Sequence, residues 1–157
     1  MAGRVFSKKD LENILNNVIR KTLGAVDQNN VFERAITMPK ITGIAGDVIE
    51  RSVLGYLPNS DRETDLVVDG KDTELKTTGI RKPKKQSIHQ FEAKEPMTIT
   101  AVSPKTISNE TFETSYFWHK TKETLLVNYH YDSHVTVKAI KYANFVIVDY
   151  QFHEFSD

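Results

Sequence analysis

Residues 65–77, "DLVVDGKDTELKT", constrain the fold more than any other stretch. Two alternating runs flank Asp69-Gly70, and Asp-Gly between such runs is a strong signal for a two-residue β-hairpin loop. That loop fixes the register. Val68 then faces Lys71, Val67 faces Asp72, Leu66 faces Thr73, and Asp65 faces Glu74. Side chains on a strand alternate faces with period two. Asp65, Glu74 and Lys76 therefore share one face, while Leu66 and Leu75 point the other way, toward a core. A four-residue loop would set Asp65 opposite Lys76 and keep the shared face. A three-residue loop would break it.

Directly opposed side chains have Cβ atoms about 4.5–5.5 Å apart. Two carboxylates at that separation repel unless a proton or cation lies between them. A hard cation resolves the repulsion. Mg²⁺ takes oxygen ligands and is usually held by one or two carboxylates plus phosphate oxygens. Lys76, two residues past Glu74, is placed to stabilise developing negative charge or to activate water. These residue types suit metal-assisted phosphodiester hydrolysis. The plainer alternative is a surface hairpin in which Lys76 pairs with Glu74 or Asp65.

The rest of the chain supplies a scaffold. Residues 7–24 carry Leu11, Ile14, Leu15, Val18, Ile19 and Leu23 at helical period, with Ser7 as cap, Asp10 at capping-box spacing and Gly24 as terminator. A polar connection over 27–40 leads to a second helix in 41–60. There Ile49, Val53, Tyr56 and Leu57 form one stripe, Glu50 borders it, and Gly43 and Gly46 permit close backbone approach at its start. After the hairpin, 79–95 reads as a basic loop and 97–102 as a strand. Residues 109–118 read as a short helix capped by Asn109. Residues 123–131 and 134–150 read as strands joined by a turn at Asp132-Ser133. This order implies an α/β (α+β mixed) fold with a central mixed sheet flanked by helices.

Composition excludes several chemistries. The chain of 157 residues contains no cysteine, so disulfides, thiolate zinc sites and cysteine nucleophiles are absent. That fits a reducing, cytoplasmic setting. No apolar run reaches the ~18 residues of a membrane span, and no cationic-then-apolar leader opens the chain. Net charge is +0, yet Lys71, Lys76, Arg81, Lys82, Lys84 and Lys85 concentrate positive charge within 71–85. A neutral protein can present such a face to a polyanion; the competing reading is a solvated loop. His130 and His134 bracket the proposed turn, so their spacing does not argue for zinc. No P-loop, dinucleotide fingerprint or Ser–His–Asp pattern is present.

Three segments together, "GIAGDVIERSVLGY", "TDLVVDGKDTELKTTGI" and "TFETSYFWHKTKETLLVNY", resemble the MutH family of nicking and GATC-cutting endonucleases. The resemblance runs over roughly residues 40–130. It implies a restriction-endonuclease-like PD-(D/E)XK core, with Mg²⁺ as cofactor and double-stranded DNA as partner. It implies that Asp65 and Glu74 are metal ligands and that Lys76 orients or activates the water. Glu50 matches a further acidic active-site residue, and Lys120 a second lysine near the scissile phosphate. Lys71, Arg81, Lys82, Lys84 and Lys85 become candidates for DNA phosphate contacts. Eight residues separate Asp65 from Glu74, more than the family pattern has, so Asp61, Glu63 and Asp69 remain rivals for the first acidic position. The expectation is one nuclease domain over 1–157, compatible with the N-terminal catalytic part of a longer enzyme or with a second copy for double-strand cutting. The alternative is a DNA-binding or regulatory module that is inactive alone.

Overall fold

The structure is a computed structural model that describes residues 5–41, 43–56, 66–82, 92–94 and 122–154. Strand β1 (Val5–Phe6) is followed by helices α1 (Lys8–Asn16), α2 (Glu33–Thr37) and α3 (Ile44–Val48), the last running into a π-helical turn at Ile49–Val53. Strands β2 (Leu66–Val68), β3 (Lys71–Arg81), β4 (Glu92–Ala93) and β5 (Glu123–His130) come next. A 3₁₀ segment (Ala139–Asn144) and β6 (Ile147–Glu154) complete the order. The strands form one six-stranded sheet in the order β1-β2-β3-β5-β6, with β4 also pairing with β3. The β1–β2 and β3–β5 pairs are parallel; β2–β3, β3–β4 and β5–β6 are antiparallel. This is the mixed α/β sheet anticipated from the element order. Among the described residues no helix is long and apolar enough to cross a membrane.

The hairpin has the expected register. Leu66 pairs with Thr73, Val67 with Asp72 and Val68 with Lys71. Asp69 and Gly70 have φ of 49° and 79°, the two positive values that a type I′ turn demands. Leu66 and Leu75 are buried, as the alternation requires. They join Leu125 and Val127 from β5, Ile147 from β6, Leu11 and Leu15 from α1, and Val48 and Ile49 from α3 and its continuation in one apolar core.

Several local expectations are corrected. Ser7 does cap α1, its hydroxyl accepting from the Asp10 amide at 3.1 Å. The helix nevertheless stops at Asn16 instead of Gly24. Arg20 turns left-handed (φ 72°), and the backbone then runs beside 143–147. Arg20 N donates to Ile147 O at 2.8 Å, Leu23 N to Phe145 O at 2.9 Å, and Gly24 N to Ala143 O at 2.9 Å. These long-range bonds replace helical ones, and helical periodicity carries no trace of them. Gly24 thus serves close packing instead of capping, since a Cβ there would lie 3.0 Å from the Ala143 carbonyl oxygen.

The supposed polar connection contains α2, tied to α3 by an Arg34–Asp47 ion pair at 2.6 Å. The second helix ends at Val53, short of Tyr56. Gly43 is needed for a left-handed φ of 72°, whereas a Cβ at Gly46 would find Thr77 Oγ1 at an ordinary 3.9 Å. Residues 79–81 belong to β3 instead of a loop, because β4 and β5 both supply hydrogen-bond partners there. Residues 134–146 form no strand, and Asp132-Ser133 is not a hairpin turn. Tyr131 explains why: it is 1% exposed, and its hydroxyl donates to Val135 O at 2.8 Å and accepts from Val137 N at 3.1 Å. Its ring and those of Tyr129, Tyr142 and Phe145 cluster with centroids 4.8–6.1 Å apart, which folds 139–144 back onto the sheet. The strand expected at 97–102 and the helix at 109–118 lie outside the described residues.

Gly24→Ala forces a methyl against backbone that cannot rotate away, and overpacking of this kind costs about 1–3 kcal/mol. A urea titration should show the midpoint falling with the slope unchanged; an unaltered midpoint contradicts the close approach.

Candidate active site

The hairpin delivers its charged face from β3. Glu74 and Lys76 alternate with Leu75, so when Leu75 enters the core both charged side chains must leave from the opposite face. Glu74 is nonetheless only 5% exposed. Lys76 Nζ lies 3.4 Å from Glu74 Oε1, with the lysine side chain 22% exposed. A carboxylate this deep needs charged or hydrogen-bonding compensation, and Lys76 is one source of it. The Glu74–Lys76 pair that the plainer reading anticipated is therefore present, and it is compatible with the catalytic reading as well.

The β2–β3 ladder is described as far as Leu66↔Thr73. Asp65, one position further, lies outside the described residues, as do Asp61, Glu63, Lys84, Lys85 and Lys120. Asp69 is removed from the list of rivals. It occupies the turn, its amide donating to Phe6 O at 3.0 Å and its Oδ1 accepting from Lys8 N at 3.1 Å.

Neighbouring strands extend the polar face. In register, Glu74 sits beside Thr124, Lys76 beside Leu126, and Thr78 beside Asn128. One strand further, Thr124 pairs with His153, Leu126 with Gln151 and Asn128 with Asp149. Asn128 Nδ2 donates to Asp149 Oδ1 at 2.7 Å. None of these polar neighbours was singled out from sequence. The signal was there in β5, where Thr124, Leu126, Asn128 and His130 occupy alternate positions, but which strand lies beside β3 is a tertiary fact.

Glu50 sits in the π-helical turn and is partly buried. Gly46, one turn earlier, lies over Thr77 of β3, so the helix carrying Glu50 packs on β3 from the face opposite to that of Glu74 and Lys76. π-helical turns are rare and often sit at functional sites. This one is tied down by a network from the 27–32 loop. Asp27 accepts from Val31 N and Phe32 N at 2.9 Å each and from Ser52 Oγ at 2.7 Å. Ser52 Oγ in turn accepts from Asn29 N at 3.1 Å, and Asn29 Nδ2 donates to Arg51 O.

The candidate DNA-contacting residues divide. Lys71 Nζ lies 3.6 Å from Glu123 Oε1 and 3.7 Å from Glu154 Oε2, so its charge is shared with two carboxylates. Arg81 ends β3. Lys82 follows it, with its carbonyl 3.1 Å from His134 Nε2. His134 is thus engaged with the backbone, and among the described residues no three His, Asp or Glu side chains gather as a metal cage. The oxygen donor of Glu74, buried and flanked by a lysine, is of the type a hard divalent cation takes.

Comparison with known families decides the lineage. The sequence profile of the family described as DNA mismatch repair enzyme MutH matches residues 54–156, well over half of the chain. The chain belongs to the MutH family. Membership agrees with the mixed α/β sheet, which is restriction-endonuclease-like, and it implies a DNA endonuclease. Within the MutH match fall Asp65, Glu74, Lys76 and Lys120; Glu50 precedes it. No curated protein matches the chain.

Ser52→Ala deletes the hydroxyl that both donates to Asp27 and accepts from Asn29. Loss of a buried hydrogen bond to a charged group costs about 1.5–3 kcal/mol, to be read by thermal or urea unfolding. A loss below about 0.5 kcal/mol contradicts the network described.

Proposed function

We propose that this chain is an Mg²⁺-dependent type II restriction endonuclease domain that hydrolyses DNA phosphodiester bonds at GATC sites. The observation that carries the proposal is the buried Glu74 carboxylate with Lys76 Nζ 3.4 Å away, on a hairpin of a MutH-family chain. Asp65 and Glu74 hold the metal through carboxylate oxygens. When bound, Mg²⁺ neutralises phosphate charge and lowers the pKa of its water. Lys76 orients the attacking water and offsets charge that develops on the phosphate. Lys120 serves as a second lysine near the scissile phosphate, and Glu50 supports the metal or water from its helix. In-line attack on phosphorus breaks the bond to the 3′ oxygen, leaving a 5′-phosphate and a 3′-hydroxyl.

Arg81, Lys82, Lys84 and Lys85 follow the DNA backbone in this reading. Such contacts fix position and affinity, not sequence. Lys71 contributes least, because Glu123 and Glu154 already neutralise it.

A GATC-containing plasmid digested with Mg²⁺ and mapped ends tests the activity. Cleavage should vanish with EDTA and fall by about 10²–10³-fold or more in Glu74→Ala and in Lys76→Ala, the scale seen when one charge-stabilising group is removed. Either variant cutting at the normal rate would remove that residue from the mechanism. Binding without nicking in any divalent metal would instead indicate a DNA-binding module. The backbone contacts have their own readout. Each lost phosphate contact lowers the slope of log K against log salt by about 0.9, so Lys82→Ala should flatten that slope by about one. An unchanged slope would take Lys82 off the interface.

A further inference from the structure

A second cleft, lined by the start of α3, strand β3 and the 3₁₀ segment, has no role in the chemistry above. Its volume is ≈ 570 Å³, within the range of small-ligand sites. Lysines reach it from three separate parts of the chain: Lys40 ahead of α3, Lys94 after β4, and Lys138 just before the 3₁₀ segment. The described lining residues include no acidic side chain. Lys40 and Lys138 form no ion pair among the described residues.

Lys94 is held in the wall. Its Nζ donates to the Tyr142 hydroxyl at 3.1 Å and lies 4.6 Å from the Tyr131 ring centroid and 5.7 Å from that of Tyr142. Tyr129 and Tyr142 both line the cleft, and Thr77, also in the lining, has a buried hydroxyl with no hydrogen-bond partner among the described residues. Lys40, Lys94 and Lys138 all bring positive charge to one partly apolar hollow, and a low local dielectric strengthens any repulsion between such charges. A bound anion reverses the sign of that term. Aromatic side chains beside it favour a ligand that also carries a flat, polarisable ring.

We propose that this cleft binds a nucleoside phosphate, with the phosphate on the lysines and the base toward Tyr129 and Tyr142. The site is distinct from the hydrolytic one. Thr77 points to the opposite face of β3 from Glu74 and Lys76, by strand alternation. The same chemistry is offered by a free nucleotide and by one nucleotide unit of a DNA strand, and titration separates them.

The full chain is titrated in EDTA, by calorimetry, with a deoxynucleoside 5′-monophosphate, the matching uncharged deoxynucleoside, inorganic phosphate and a short single-stranded oligodeoxynucleotide. Saturable binding of the monophosphate is expected, at least tenfold tighter than of the nucleoside or of phosphate alone. Lys138→Gln and Lys40→Gln, both at exposed positions, should each weaken it by about tenfold, the loss of one charge-assisted hydrogen bond. Lys8→Gln, beside Phe152 and away from the cleft, should leave it unchanged. Glu74→Ala should also bind normally, so a failure of the nuclease reading leaves this result intact. An oligonucleotide that binds tighter than the monophosphate and loses affinity in Lys138→Gln identifies a DNA strand as the source. Tighter binding of the monophosphate identifies the free nucleotide. The proposal is overturned if neither ligand saturates, if the lysine variants bind as the parent does, or if inorganic phosphate binds as tightly as the nucleotide.

Discussion

Two adjacent left-handed residues, Asp69 and Gly70, hold the β2–β3 ribbon in one register, and most of the molecule's organisation depends on it. Slippage by one residue would turn Leu66 and Leu75 to the polar face and drive the charged side chains into the core. Asp69 reinforces the turn at both ends of its own residue, with its amide on Phe6 and its carboxylate on the first amide of α1. The turn thereby also anchors β1 and the start of α1. Leu75, once buried, carries β3 into the centre of the sheet, where β5 pairs with it in parallel along seven residues from Glu74 to Ile80.

That geometry explains why a buried carboxylate survives here. The alternation of a central strand fixes the face from which Glu74 leaves β3, and its side chain is buried there. Desolvation of a carboxylate is costly, and removal of its partner charge leaves the cost unmatched. The fold therefore keeps an acidic group and an ammonium group 3.4 Å apart at a position with limited water. In such surroundings electrostatic interactions are stronger than at the surface, which is the condition that phosphate chemistry exploits. The helix that runs into the π-helical turn of Glu50 meets the same strand from its other face, through Gly46 and Thr77, and the turn itself is tied by Asp27, Asn29 and Ser52. Acidic groups from two distant parts of the chain are thus carried by elements packed on one another.

Short-range signals were legible. Asp-Gly between alternating runs specified the turn, the pairing partners and the two faces of β3. Ser7 with Asp10 specified the start of α1. β5 was readable because alternation of buried and partly buried side chains persists from Leu125 to His130. Long-range signals were not legible. The end of α1 depends on 143–147 accepting the backbone of 20–24. The 3₁₀ segment depends on Tyr131, Tyr142 and Phe145 finding one another. Gly24 looked like a helix terminator and is a contact point with Ala143 instead.

The amino-acid sequence alone determined the hairpin, its register, the shared face of Glu74 and Lys76, and, through its motifs, the MutH lineage. Turn chemistry and strand alternation act over a few residues, so they need no knowledge of the rest of the chain. Tertiary structure alone decided how deep Glu74 lies, that Lys71 is drawn to Glu123 and Glu154, and that Lys40, Lys94 and Lys138 meet around one cleft. Burial and charge proximity are properties of residues far apart in sequence, and only the packed sheet and the segments folded against it bring them together.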